Sequence, residues 1–289
     1  MSVEKTMRRR RKYMKELFRK RKKLFIIGII DFAIILTCVV TLLAEYRQYR
    51  EELSRNAVKL EDLAEQITIH EESKKEPSTE PASEPSEETQ WKPMHDFDAL
   101  KQVNEDGYAW IEIPGTQVNY PVLQSDIDNK YLDTNIDGTS GYPGCIYSNV
   151  CNSKGFDDYI TVLYGHNMKS GEMFGSLHNF DDAEFFQNFE TYTVETEEAR
   201  FTYSVYAAVN YNDKLIPVYF DVKSASGRDE FLESLEPCRE NSITHFNDEI
   251  EISGEDKVLV LSVCIRGQEN RRYLIVSKLE EMVKYEPDA

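Results

Sequence analysis

Cysteine is scarce in this chain, and its scarcity narrows the chemistry. The 289 residues hold five: Cys38, Cys145, Cys151, Cys238 and Cys264. Cys38 falls in an apolar run and cannot pair with the others across a membrane. If Cys264 is kept as a free thiol, an odd number remains, which speaks against a disulfide framework and leaves only a Cys145–Cys151 bridge open. Metal signatures are missing too. No Cys/His pair has zinc-ligand spacing, and Asp126, Asp128 and Asp133 lack the glycine and terminal glutamate that a calcium loop uses. No metal and no other cofactor is expected, and no internal repeat is visible.

Positive charge is absent where a nucleic acid would need it. The net charge is −18, but residues 1–23 carry twelve Lys and Arg against Glu4 and Glu16, about +10, so the rest of the chain holds about −28. Phosphate binding requires Lys and Arg clustered on the folded face, so the acidic domain argues against nucleic acid as a partner. The acidic excess reads as solvated surface.

What the chain does have begins with two basic blocks, Arg8 to Lys12 and Arg19 to Lys23, followed by an apolar run from Leu24 to Ala44. About twenty apolar residues at about 1.5 Å each cross a hydrocarbon core of about 30 Å. A cleaved signal peptide would have a shorter apolar region and a better small-x-small site than Thr41-Leu42-Leu43-Ala44-Glu45 offers. The reading is therefore a retained single-pass anchor. The positive-inside rule puts residues 1–23 in the cytoplasm and residues 45–289 outside the plasma membrane. Asp31, inside this run, either meets a polar partner or is tolerated protonated.

Beyond the anchor, Tyr46, Tyr49, Leu53, Asn56, Leu60, Leu63 and Ile67 step by three and four, a heptad seam on a helix from Glu45 to His70. So short a seam is expected to pack back on its own domain ahead of self-association. Residues 71–90 turn to Glu, Pro, Ser, Thr and Lys and read as a disordered tether. Together 45–90 form a stalk and linker, and the folded domain is expected over 91–289. Its short strand-like runs, with helical patterns near 97–103, 183–188 and 228–235, predict a mostly β protein with a closed or nearly closed barrel.

The chemistry gathers at the end of that domain. Val258 to Val263 reads as a buried strand ending on Cys264, a polar loop from Ile265 to Arg271 follows, and Arg272 opens a second apolar strand. Thiol and guanidinium would lie side by side if these strands are neighbours. A thiol attacks an acyl carbonyl only as thiolate, so it needs a base or a cationic neighbour. His166, in Tyr164-Gly165-His166-Asn167 after the strand Tyr159 to Leu163, supplies one, expected as an imidazolium; Arg272 is a permanent cation that can also face an oxyanion. His178 and His245 read as surface or local hydrogen-bonding residues.

Tyr164-Gly165-His166-Asn167-Met168 with Met173 to Leu177, Leu261-Ser262-Val263-Cys264 with Arg272 to Leu279, and Trp110 to Thr116 with Tyr120-Pro121-Val122 together resemble class B sortases over about residues 95–280. The resemblance implies an eight-stranded sortase-type barrel with extra helices behind the anchor and stalk. It also implies a membrane-bound cysteine transpeptidase of Gram-positive bacteria. Such an enzyme cleaves a sorting motif of surface proteins after a threonine and passes the acyl group to an amine, on a peptidoglycan precursor or a pilin lysine. Carried over, Cys264 is the nucleophile, His166 the acid/base, Arg272 the oxyanion or substrate arginine, and Leu261, Ser262 and Val263 the substrate contacts. Two departures are visible. Val260 and Val263 stand where the family has threonines, and the connection from Cys264 to Arg272 is short, which leaves Arg271 as an alternative; alignment on the following strand and Lys278 selects Arg272.

Two rivals remain at this stage. L,D-transpeptidases place a glycine directly before their cysteine, where this chain has Val263, and their histidine lies much closer. A non-catalytic, membrane-tethered peptide-binding barrel would fit the missing threonines.

Overall fold

Short apolar runs become strands here because each has one face or two to bury, and eight of them close on themselves. The computed structural model describes residues 3–68 and 92–285. Among these, the strands are β1 (Gly107–Glu112), β2 (Asn119–Leu123), β3 (Ile146–Ser148), β4 (Ile160–Gly165), β5 (Thr191–Thr196), β6 (Ala199–Asn212), β7 (His245–Phe246), β8 (Val258–Ile265) and β9 (Gln268–Lys284). Pairing runs β5-β1-β2-β3-β4-β8-β9-β6, and β5 pairs with β6 to close an eight-stranded barrel; two-residue β7 is an extra edge on β6. Closure removes the open sheet edges that would otherwise invite association.

The helices are α1 (Val3–Ile67), α2 (Phe97–Val103), α3 (Ala183–Asn188), α4 (Ile216–Tyr219) and α5 (Ala225–Glu233). Side-chain caps start three of them: Asp96 accepts from the Ala99 N–H, Asp182 from those of Glu184 and Phe185, and Ser224 from that of Gly227. Along β8 the alternation of a strand divides the side chains. Val258 and Val260 join Ile160, Val162, Leu274 and Val276 beneath Phe231 and Leu232 of α5. Leu259, Leu261 and Val263 are buried on the opposite face.

The described chain divides into two units, one ending at Arg55 and one beginning at Asn56. The first holds all but the last residue of Asp31–Asn56, a stretch of α1 long and apolar enough to cross a membrane, which overlaps the expected span of 24–44. The second starts upstream of the expected Trp91. Asn56, Leu60, Leu63 and Ile67, the last four positions of the heptad seam, are all buried within it. Burying Leu60, Leu63 and Ile67 is worth about 1.5–3 kcal/mol for each side chain. The exposed Lys59–Asp137 ion pair at 2.5 Å adds at most about 1 kcal/mol. Apolar packing therefore holds this end of α1 in place. The expected tether, residues 71–90, lies outside the described residues.

Candidate active site

The parallel pairing of β4 with β8 builds the site. Its register sets Tyr164 beside Ser262 and Gly165 beside Val263, so His166, the first residue past β4, comes level with Cys264 near the end of β8. On the other side of β8 the antiparallel register sets Cys264 directly opposite Arg272. The expected polar loop between them is instead a hairpin turn. Only Arg266 and Gly267 separate β8 from β9, and Gly267 takes φ 76°, a conformation that glycine adopts without strain. The extra residues are absorbed as an irregularity of β9 between the Cys264 and Ile265 pairings.

Gly165 is small for a reason of space. A Cβ there would lie 2.5 Å from Ile146 Cδ1 and 2.8 Å from the ring of Phe174. Phe174 is fully buried and cannot withdraw. Gly165→Ala is therefore expected to cost about 1–3 kcal/mol of stability in a urea titration. It should also lower turnover, because His166 is the next residue and must move with the strand end.

Cys264 is a free, exposed thiol. Cys264, His166 and Arg272 line one cavity of about 220 Å³, with Asn129, Tyr164 and Ser262. Of the three expected substrate contacts, only Ser262 faces it. Leu261 and Val263 have their side chains inside the barrel, a correction that follows from strand alternation: if Cys264 faces the cavity, residues 263 and 261 cannot. Any contact from Val263 to a substrate comes from its backbone. Arg271 is committed elsewhere. Its Nε donates to Asn210 Oδ1 at 2.6 Å and a terminal nitrogen donates to the Asn210 carbonyl at 2.5 Å, whereas Arg272 contributes to the Cys264 cavity.

Burial lowers the His166 pKa, and the Leu132 carbonyl and nearby Asp133 offset this only in part, so the surroundings work against the expected imidazolium. Its Nε2 lies 2.7 Å from the Leu132 carbonyl oxygen, which only accepts, so Nε2 carries the proton. Nδ1 is then the basic nitrogen, and the Tyr142 hydroxyl donates to it at 3.2 Å. The two rings pack with centroids 4.3 Å apart. A neutral, unprotonated Nδ1 suits a group that must first accept a proton.

Two residues that sequence reading left aside hold the nucleophile's backbone. Asn167 Nδ2 donates to the Cys264 carbonyl at 2.8 Å, and His178 Nε2 lies 3.2 Å from the same oxygen. His178 also faces Asp181 at 3.5 Å and stacks on Tyr273 with centroids 5.0 Å apart. Burial opposes its charge, but the hydrogen bonds to Asp181 and to Cys264 outweigh it and hold the pKa above the usual range. Asn167 follows His166 directly, which was the one available signal; His178 gave none. A second, more open cleft of about 640 Å³ adjoins these residues, lined by Gln117, Asn167, Lys169, His178 and Arg266 among others.

A closed barrel that displays a thiol beside an imidazole and a guanidinium has the functional groups of a cysteine acyl-transfer enzyme. The sortase family model, described as a sortase domain, matches residues 111–280. Sortase B of Listeria monocytogenes is 29% identical over 182 residues, covering 62% of this chain and 72% of that protein. Among solved structures, a class B sortase of Streptococcus pyogenes involved in pilus biogenesis is 25% identical with a TM-score of 0.55, covering 64% of this chain and 97% of that one. Sortase B of Bacillus anthracis shares the fold at 23% identity and a TM-score of 0.60, covering 83% and 99%. The chain belongs to the sortase family, whose members are cysteine transpeptidases associated with membranes, and it is of class B.

Proposed function

We propose that this sortase is anchored by residues 24–44 with its basic arm in the cytoplasm. Its catalytic unit, outside the membrane, cleaves a C-terminal sorting motif of secreted proteins and transfers them to an amine. Cys264 gives its proton to His166 and, as thiolate, attacks the scissile carbonyl. Arg272 faces the oxyanion of the tetrahedral intermediate. Collapse expels the amine, which takes the proton from His166 and leaves a thioester on Cys264. The incoming amine attacks that thioester and yields a proton to His166, and collapse returns the thiol. What supports this reading is the convergence of Cys264, His166 and Arg272 on one cavity.

The test is a peptide-library cleavage assay on the full chain in detergent, read by mass spectrometry. One bond, after a threonine, should be cut, with an acyl adduct on Cys264 when no amine is supplied. His166→Ala should lower turnover about 100-fold or more. If Cys264 reacts with a thiol probe but no peptide is cut, a binding module is the better reading; if His166→Ala leaves turnover intact, the role given to His166 is wrong. The S. pyogenes relative involved in pilus biogenesis makes two acceptors worth comparing, a wall-precursor amine and a pilin lysine.

A further inference from the structure

The geometry points to Tyr142 as a positioning residue for His166, itself held in place by Asn56 at the end of α1, so that the stalk helix sets the geometry of the acid/base. The inference rests on the role proposed above for His166. Tyr142 reaches the imidazole in two ways, through its hydroxyl on Nδ1 at 3.2 Å and its ring over the imidazole at 4.3 Å. Its backbone is tied in turn: Asn56 Nδ2 donates to the Tyr142 carbonyl at 2.9 Å. Asn56 is only 8% exposed, a buried polar residue in a seam otherwise made of Leu60, Leu63 and Ile67. A buried amide is costly unless it is hydrogen-bonded, so this partner fixes where the helix and the 137–144 segment meet. Lys59 pairs with Asp137 on the same segment.

The consequence for the ring follows from its surroundings. Leu132 fixes Nε2 as the protonated nitrogen, and the Tyr142 hydroxyl, which can donate or accept, follows Nδ1 through both protonation states. The charged and titratable groups around His166 are Asp133 from the β2–β3 connection, Asp213 and Lys214 after β6, and Cys264 and Arg272 on β8 and β9. The phenols of Tyr147 and Tyr164 line the same cavity and stay protonated, because burial raises both. Covering by Tyr142 adds to the burial that lowers the pKa of the ring. Uncovering the ring should let its pKa rise toward the ordinary value.

The test uses the full chain in detergent with 15N-labelled histidine, and follows His166 by its imidazole nitrogen shifts across pH. Tyr142→Ala should raise the His166 pKa, and Asn56→Ala should raise it in the same direction by less. Tyr142→Phe, which keeps the ring and the fold, should shift the Nδ1 resonance. It should also lower kcat about fivefold, with KM for the peptide found in the library assay little changed. Alkylation of Cys264 by iodoacetamide, read by mass spectrometry, should show the same displaced pH step. A merely structural contact would lower the melting temperature without moving these signals. The inference is overturned if Asn56→Ala or Tyr142→Phe leaves the His166 titration and shifts as in the wild type. Activity surviving in His166→Ala would instead overturn the proposed mechanism, and the two failures read out separately.

Discussion

Replacing Cys264 with alanine should cut peptide turnover by about four orders of magnitude or more while leaving the unfolding free energy within about 0.5 kcal/mol of the wild type. Both halves follow from where the residue sits. The intermediate proposed is a thioester on this sulfur, and neither His166 nor Arg272 can replace it. Yet it is exposed at the end of β8, and the contacts that hold this point of the chain are to its carbonyl oxygen, from Asn167 and His178. Alanine keeps that carbonyl. A measured loss of stability of several kcal/mol would mean that the sulfur is packed and not displayed. Near-native turnover would end the mechanism.

The two adjacent arginines should separate function from folding. Arg272→Ala is expected to lower kcat about 100-fold to 1,000-fold, the usual effect of removing an oxyanion donor, with little change in stability. Arg271→Ala should do the reverse. Its guanidinium makes two hydrogen bonds to Asn210, a residue only 3% exposed. Their loss strands buried polar atoms at a cost of about 2–3 kcal/mol, while kcat stays within about threefold. Paired urea titrations and steady-state kinetics on the two variants decide the matter. Exchanged phenotypes would move the anion-binding role to Arg271.

The chemistry-bearing residues were legible because they close strand-like runs, and strand ends come together wherever strands are neighbours. Val258 to Val263 and Ile160 to Leu163 are buried on both faces, which is how a parallel pair reads. The helix at 183–188 was visible through its helical pattern, and its aspartate cap came only with the structure. What stayed hidden is contact between residues with no local signal. Tyr142 is separated from His166 by 24 positions and from Asn56 by 86. Nothing in a glycine- and proline-rich loop announces which tyrosine will cover the imidazole. Leu261 and Val263 illustrate a different limit. Family segments are inherited as runs, whereas a strand turns alternate side chains away, so adjacency to the nucleophile in sequence is no guide to facing it.

Because Cys264 and Arg272 are opposed across a ladder, their separation is a property of strand pairing, about 4.5–5.5 Å between α-carbons, and not of the connector. The two-residue turn at Arg266–Gly267 is therefore a free variable for protein engineering. Peptides, tags or whole affinity loops could be inserted at that tip, where a Cβ added to Gly267 would meet nothing within 4 Å, without stretching the distance on which acyl transfer depends.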